Sequence, residues 1–484
     1  MLSILLGHSY FLRLDPKQRE RAKPYPPLAT LHVASLLRRS GHEVALFDAM
    51  LSEGTDDYRQ KLAATRPRLV LLYEDNFNFL SKMCLEKMRA AACEMIAIAR
   101  RSGARVVAAG ADASDGPEAY LRAGADLVLL GEGLSALEAV LRRLDGCPDA
   151  APGVLAEGLS GIAHLLDGKV CSVSRMRAAP ADESDERPAW DLVDIEAYRR
   201  TWTDAHGYFS LNMAASRGCS FRCAWCAKPI WGNQYRQRPP ALVANEMAHL
   251  KRTFHPDHVW FADDIFGFRV DWVEEFTRVL RAEDGAVPFT IQTRADLLSE
   301  RMALALREAG CREAWIGAES GSQRVLDAMN KGTSVSEIAT ARARLRAVGI
   351  RVGFFIQLGY LGEDLPDILA TRELLETTLP DDVGVSVSYP LPGTRFYELV
   401  RADLGRKTHW RDSGDLAMMF HGTYTSEFYR AIRDLLHDRI ALEARNGPAH
   451  AAEYRRGRRL LNRRWSALLS SEREHRNGAR QATA

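Results

Sequence analysis

The chain has 484 residues, 46% of them hydrophobic and 26% charged, with a formal net charge of +2. That length exceeds one ordinary hydrophobic core, so two or three domains are expected. The near-neutral balance excludes bulk nucleic-acid binding, which needs a domain-wide basic excess against phosphate, and no apolar run approaches the roughly 20 residues of a membrane span.

The opening MLSILLGHSYFLRLD has no basic leader before its short apolar run and no small-residue cleavage site. It reads as a first buried strand and not a signal peptide, which points to the cytoplasm. Further strand-like runs follow at 43–48, 69–73, 105–109 and 126–130, with helical patterns between them, such as Leu31–Arg39, Met83–Arg101 and Ala136–Arg143. Short apolar strands separated by helices predict a parallel sheet covered on both faces. Residues 1–145 are therefore expected to form an α/β, doubly wound, Rossmann-like domain. Residues 146–205, rich in Gly, Pro, Ala and acidic side chains around AAPADESDERPAW, read as a linker.

Over 206–400 the alternation resumes with a longer rhythm. Strands are expected at 210–215, 258–262, 289–293, 313–316, 351–357 and 383–388. Six strand–helix units predict a partial (β/α)6 barrel with its chemistry at the C-terminal strand ends. Residues 401–484 read as helical. They carry a basic run, Arg455, Arg456, Arg458, Arg459, Arg463 and Arg464, whose plain reading is a solvated helix face and whose alternative is docking on an acidic carrier or an anionic membrane surface.

Of eight cysteines only Cys219, Cys223 and Cys226 lie close together, in SRGCSFRCAWCAKP after the first strand of the second domain. Soft thiolates suit iron–sulfur clusters or zinc. A structural zinc site wants four ligands, and no fourth Cys or nearby His completes this one. Three ligands on a four-iron, four-sulfur (4Fe-4S) cube leave one iron open to a small molecule.

The CxxxCxxC spacing at that strand end resembles the radical S-adenosylmethionine (radical SAM) superfamily. The resemblance implies that the open iron chelates S-adenosylmethionine, whose one-electron cleavage yields a 5′-deoxyadenosyl radical, and that Trp225 sits beside the adenine. FADDIFGF follows the second barrel strand where the family carries a Gly-Gly-Glu-like motif. Asp263 and Asp264 would there take the methionine ammonium, or alternatively cap a helix. IGAESGS resembles the family's GxESGS: Gly317 and Gly321 allow close backbone approach, while Glu319 and Ser320 would bind the cofactor's ribose or carboxylate end. Arg294 would pair with a cofactor or substrate carboxylate, or form a structural ion pair. Gln357, in FFIQLGYLGE, would lie near the adenine, although Leu361 departs from the relatives' GYPGE.

The first domain lacks the GxGxxG of dinucleotide folds. YPPLATLHVASLLRRSGHEVALFDA followed by GADLVLLGEG resembles instead the cobalamin-binding domain that precedes many radical SAM methyltransferases, including those acting on chlorophyll precursors and natural products. Corrin binding needs a flat apolar slot edged by polar groups. Gly110 and Gly131 to Gly133 suit close approach, Asp112, Ser114 and Glu132 would take amide hydrogens, and Glu74, Asp75, Asn76, Phe77 and Asn78 would lie under the ring. The family's DxHxxG motif is missing, so no protein histidine is expected to ligate cobalt.

The resemblance implies a radical SAM enzyme that uses cobalamin as methyl carrier to methylate an unactivated carbon. The substrate would be a small molecule, such as a pigment, lipid or natural-product intermediate, and a low-potential donor such as flavodoxin or ferredoxin would supply electrons. Cobalamin-assisted cyclisation or rearrangement is the alternative; a non-catalytic cobalamin sensor is weakened by the intact cysteine set. A methylthiotransferase would need three more cluster cysteines, and Cys84 and Cys93 have no third partner.

Overall fold

The computed structural model describes residues 1–173, 187–226, 230, 233–444 and 451–477. Seven strands form the first sheet: β1 (Ser3–Gly7), β2 (Glu43–Phe47), β3 (Leu69–Tyr73), β4 (Arg105–Ala109), β5 (Leu127–Leu129), β6 (Ile162–Leu166) and β7 (Lys169–Val173). Their order is β2-β1-β3-β4-β5-β6-β7. β1 to β5 are parallel, and the last two run antiparallel.

Alternating side chains of the parallel strands enter two separate cores. Ile4, Leu6, Leu69, Leu71, Val107, Leu127 and Leu129 pack on one face, whereas Leu5, Phe47, Val70, Leu72, Val106 and Ala108 pack on the other. A strand buried on both sides has no polar face to show, which explains the continuous apolar runs.

The stretch expected as a linker does more than connect. β6 and β7 add a hairpin to the sheet edge through Asp167 and Gly168, both at positive φ (50° and 73°), the backbone a two-residue primed turn requires. Farther on, the helix Ile195–His206 buries Tyr198 and Trp202 in the core. In AAPADESDERPAW, residues 178–186 lie outside the described residues, while Ala189 and Trp190 are buried.

The second sheet contains β8 (Ser210–Met213), β11 (His258–Phe261), β12 (Phe289–Thr293), β13 (Cys311–Glu319), β14 (Arg351–Leu358) and β15 (Asp382–Val387). All pairs are parallel in the order β15-β14-β13-β12-β11-β8. β8 and β15 do not pair, so this is a half-barrel. A small antiparallel pair, β9 (Ser216–Gly218) and β10 (Tyr235–Gln237), brackets the cysteine loop.

The helix Ser426–Ala444 packs on β15, and the helix Ala451–Ser470 packs on that one through Leu461 and Trp465, leaving its arginine run exposed. Among the described residues no helix is long and apolar enough to cross a membrane.

Candidate active site

Cys219 directly follows β9 and is buried; Cys223 and Cys226 are half-buried, and none of the eight cysteines is in a disulfide. The segment between them is locked by backbone bonds. Ala224 N donates to Met329 O (2.8 Å), Phe396 N to Ala224 O (2.9 Å), and Asn330 Nδ2 to Arg222 O (2.7 Å). The cysteine loop therefore leans on a turn between two helices, Met329 to Lys331, that carries no recognisable motif. Ala227, Lys228 and Pro229 of the motif lie outside the described residues.

Arg294 ends β12 and reaches this loop. Its Nη1 lies 3.7 Å from Cys223 Sγ, and its guanidinium stacks 3.7 Å from the centroid of the Phe221 ring. Nε and Nη2 bind Asp296 (2.9 and 3.1 Å), and Nη2 also donates to Lys331 O (2.8 Å). The expected carboxylate partner is thus Asp296, and the remaining nitrogen faces a thiol.

Glu319 ends β13 at a bulge with φ of 60°, a left-handed conformation costly for a bulky residue and typical of functional positions. Its Oε1 accepts from Lys331 Nζ at 2.7 Å, and both side chains are buried. Burial pushes the Lys331 ammonium toward neutrality, but Glu319 and Cys223 outweigh it and hold its pKa above the ordinary value. Gly317 makes room for this pair, since a Cβ there would sit 2.6 Å from both Glu319 Oε1 and Lys331 Nζ. Gly321 is equally constrained: a Cβ added there would run into the Ala370 carbonyl. Ser320 does not stay open for a ligand as expected. Its hydroxyl is buried against Thr371 Oγ1 (3.1 Å) and accepts from Ser322 N (3.1 Å), so it anchors the loop to the helix Leu365–Thr378.

The two aspartates after β11 also have protein partners. Asp263 accepts from Ala215 N (3.0 Å) and Ser216 Oγ, which fixes the entry to the cysteine loop; burial pushes its pKa up to about 7. Asp264 pairs with Lys82 of the first domain (2.6 Å). Two expected cofactor contacts do keep unsatisfied atoms. Gln357 donates to Ser388 Oγ (3.0 Å), but its Oε1 is buried without a partner, as is Trp225 Nε1.

On the first domain most of the expected corrin-side groups are already engaged. Glu74 accepts from Ser9 N (3.0 Å), Asp75 from Ala29 N (3.0 Å) and Phe77 N (3.2 Å), and Asn78 from Leu80 N (3.0 Å). Asp112 binds Arg89 Nε (2.8 Å) and Tyr120 OH (2.6 Å). Ser114 ties the end of β4 to the end of β5, donating to Gly110 O (2.6 Å) and accepting from Gly131 N (2.9 Å). Gly133 then starts the helix Leu134–Gly146. Asn76 differs: it is 0% exposed, and apart from an approach to the Tyr73 hydroxyl its carboxamide is left without a well-formed hydrogen bond. His8, the histidine that follows β1, has Nε2 2.9 Å from Asp48 Oδ1 and accepts from Tyr10 N at Nδ1 (3.3 Å).

The two sets of strand ends meet. Glu132 pairs with Arg217, two residues before Cys219, at 2.6 Å; Ile230 packs on Ala111; and Lys82 holds Asp264. Sequence reading missed Arg217, Lys82 and Lys331. The adjacency of Arg217 to the cysteine motif was a usable signal, whereas the two lysines sit in segments without one.

The residues present fit the cofactors that the motifs imply. Among the described residues no three His, Cys, Asp or Glu side chains converge as they would on one metal ion. A cube presents a separate iron to each thiolate, so its ligands need not converge. Three thiols on a braced loop match that donor set. The orphaned Gln357 Oε1 and Trp225 Nε1 suit an adenine and its polar edges, and the orphaned Asn76 carboxamide suits corrin amides, because buried polar groups demand partners.

A pH dependence follows from a neighbouring carboxyl. Glu363, after β14, is 0% exposed; its Oε2 accepts from Gly359 N and its Oε1 has no partner. Burial pushes its pKa from 4.5 up to about 8. Between those values the folded state holds a proton that the unfolded chain has released. Stability therefore falls as pH rises across that window, by at most ~1.4 kcal/mol per unit from this group. Glu363→Gln is expected to flatten the decline between about pH 6 and pH 8, as read from urea midpoints.

Comparison with known proteins agrees with this arrangement. A B12 binding domain matches residues 19–141, and the Radical SAM superfamily matches residues 213–375. An uncharacterized methyltransferase of Pyrococcus horikoshii is 24% identical over 392 residues, covering 80% of this chain and 81% of its own. The hopanoid C-3 methylase of Methylococcus capsulatus is 25% identical over 413 residues, 81% of this chain and 70% of its own. The fold resembles that of the radical S-adenosylmethionine methyltransferase TsrM from Kitasatospora setae, solved with cobalamin and a 4Fe-4S cluster bound, with TM-score 0.65 and 19% identity over 82% of this chain and 74% of that one. The chain thus carries an N-terminal B12-binding domain followed by a radical SAM domain.

Proposed function

We propose that this enzyme methylates an unactivated carbon of a small molecule, with cobalamin as the methyl carrier between the two domains. The observation that carries the reading is the shared seam. Loops ending β4 and β5 contact the cysteine loop directly through Glu132–Arg217 and Ala111–Ile230. A methyl donor held by the first domain would then lie close to a radical formed at the second. Two relatives bear methyl-transfer names, which supports the reading.

In this proposal Cys219, Cys223 and Cys226 hold the cluster, while Glu319, Gln357 and Trp225 position S-adenosylmethionine. Asn76, Phe77 and the glycine-rich ends of β4 and β5 seat the corrin, in a unit that we assign through the hairpin to Val173. When bound, these groups supply the radical that opens a carbon–hydrogen bond and the methyl that replaces the hydrogen. The chain's part is to bind, orient and exclude water from reactive species. A cytoplasmic low-potential donor such as flavodoxin or ferredoxin would supply the electron.

The test is anaerobic turnover of extract from a deletion strain with S-adenosylmethionine carrying a trideuteromethyl group. The expected result is a product that retains one labelled methyl, formed together with 5′-deoxyadenosine. Formation of 5′-deoxyadenosine with an unlabelled, cyclised product would contradict methyl transfer.

A further inference from the structure

We infer that Arg294 is a positioning residue that sets how readily the cluster accepts its electron, by presenting a fixed guanidinium to the sulfur of Cys223. The inference rests on the reading above that Cys223 binds iron. Four contacts define the group. Asp296 takes Nε and Nη2, the Lys331 carbonyl also takes Nη2, and Phe221 lies against the guanidinium plane. Only Nη1 points elsewhere, and it meets Cys223 Sγ at 3.7 Å.

This geometry departs from a side chain kept for a substrate carboxylate. Such a residue would present its two-pronged edge to the ligand, and here that edge is already filled by Asp296. Arg294 is only 4% exposed, so water screens its charge little. Hydrogen bonds and positive charge at the sulfurs favour the more negative, reduced form of an iron–sulfur cluster and raise its potential. Lys331 adds a second buried cation, largely balanced by Glu319. Asp296 partly offsets Arg294, so the potential is set by the difference between the two.

The experiment is mediated redox titration of the reconstituted cluster, followed by electron paramagnetic resonance, in wild type, Arg294→Gln, Arg294→Lys and Asp296→Asn. Arg294→Gln is expected to lower the ratio of reduced to oxidised cluster about tenfold at a given potential, ~59 mV for a one-electron couple. Arg294→Lys should recover part of the shift. Asp296→Asn should move it the opposite way, and this variant decides the matter if the glutamine variant assembles poorly. Wild-type potential in an iron-replete Arg294→Gln protein overturns the inference alone, as does Asp296→Asn shifting in the same direction as Arg294→Gln. Wild-type protein that binds no iron overturns the cysteine assignment and the inference with it.

Discussion

Cys223→Ala is expected to leave a folded protein that binds little iron and makes no 5′-deoxyadenosine above background. The loop around it is held by backbone bonds to Met329 O and from Phe396 N, by the Asn330 side-chain amide on Arg222 O and by the Phe221 stack on Arg294, none of which needs the thiol. Loss of this half-buried sulfur should therefore change stability by less than ~1 kcal/mol, whereas a cube gripped by two thiolates in place of three is not retained under chelation. Cys84→Ala is the control. That thiol is buried in the first domain and its pKa lies far above the ordinary range because burial disfavours the thiolate, so its loss costs packing but no iron. Iron analysis after desalting with a chelator, together with mass spectrometry of nucleoside products, separates the two variants.

Glu319→Gln is expected to destabilise the fold by ~3–5 kcal/mol, because it leaves the Lys331 ammonium buried without its counter-charge. Lys331→Met should cost a similar amount for the converse reason. The double variant should recover most of the loss, since neither charge then remains buried alone, while cofactor cleavage stays impaired if Glu319 contacts S-adenosylmethionine. Urea unfolding of the four proteins forms a double-mutant cycle whose interaction energy measures the pair directly. Simple additivity would show that the two side chains do not depend on each other. Gly317 belongs to the same unit: its missing Cβ is what allows a carboxylate and an ammonium into one narrow space beside a strained backbone.

The parallel strands of the first sheet were legible because they are buried on both faces and leave nearly unbroken apolar runs, and the cysteine triplet because its spacing lies within one loop. The hairpin of β6 and β7 was also written plainly, as an Asp-Gly turn between GIAHLL and KVCSV, but the Gly- and Ala-rich surroundings concealed it. What could not be read was which polar residues the protein spends on itself. Glu74, Asp75, Asn78, Asp112 and Ser114 have the right chemistry for a ligand, yet each already holds main chain or a neighbouring side chain. Asp263, Asp264 and Ser320 behave likewise around the cysteine loop. Contacts such as Lys82–Asp264 and Arg217–Glu132 join residues far apart in the chain, so no local pattern announces them. The reverse also holds. Asn76, Gln357 and Trp225 emerge as binding candidates in the fold because their buried polar atoms remain unpaired.

The most direct test of the account is a crystal structure of the anaerobically reconstituted protein with S-adenosylmethionine and cobalamin. The expected result is a cube held by Cys219, Cys223 and Cys226 alone, its remaining iron chelated by S-adenosylmethionine, and a corrin ring seated between Asn76 and the cysteine loop. A fourth polypeptide ligand on the cluster, or a corrin bound away from that seam, would contradict it.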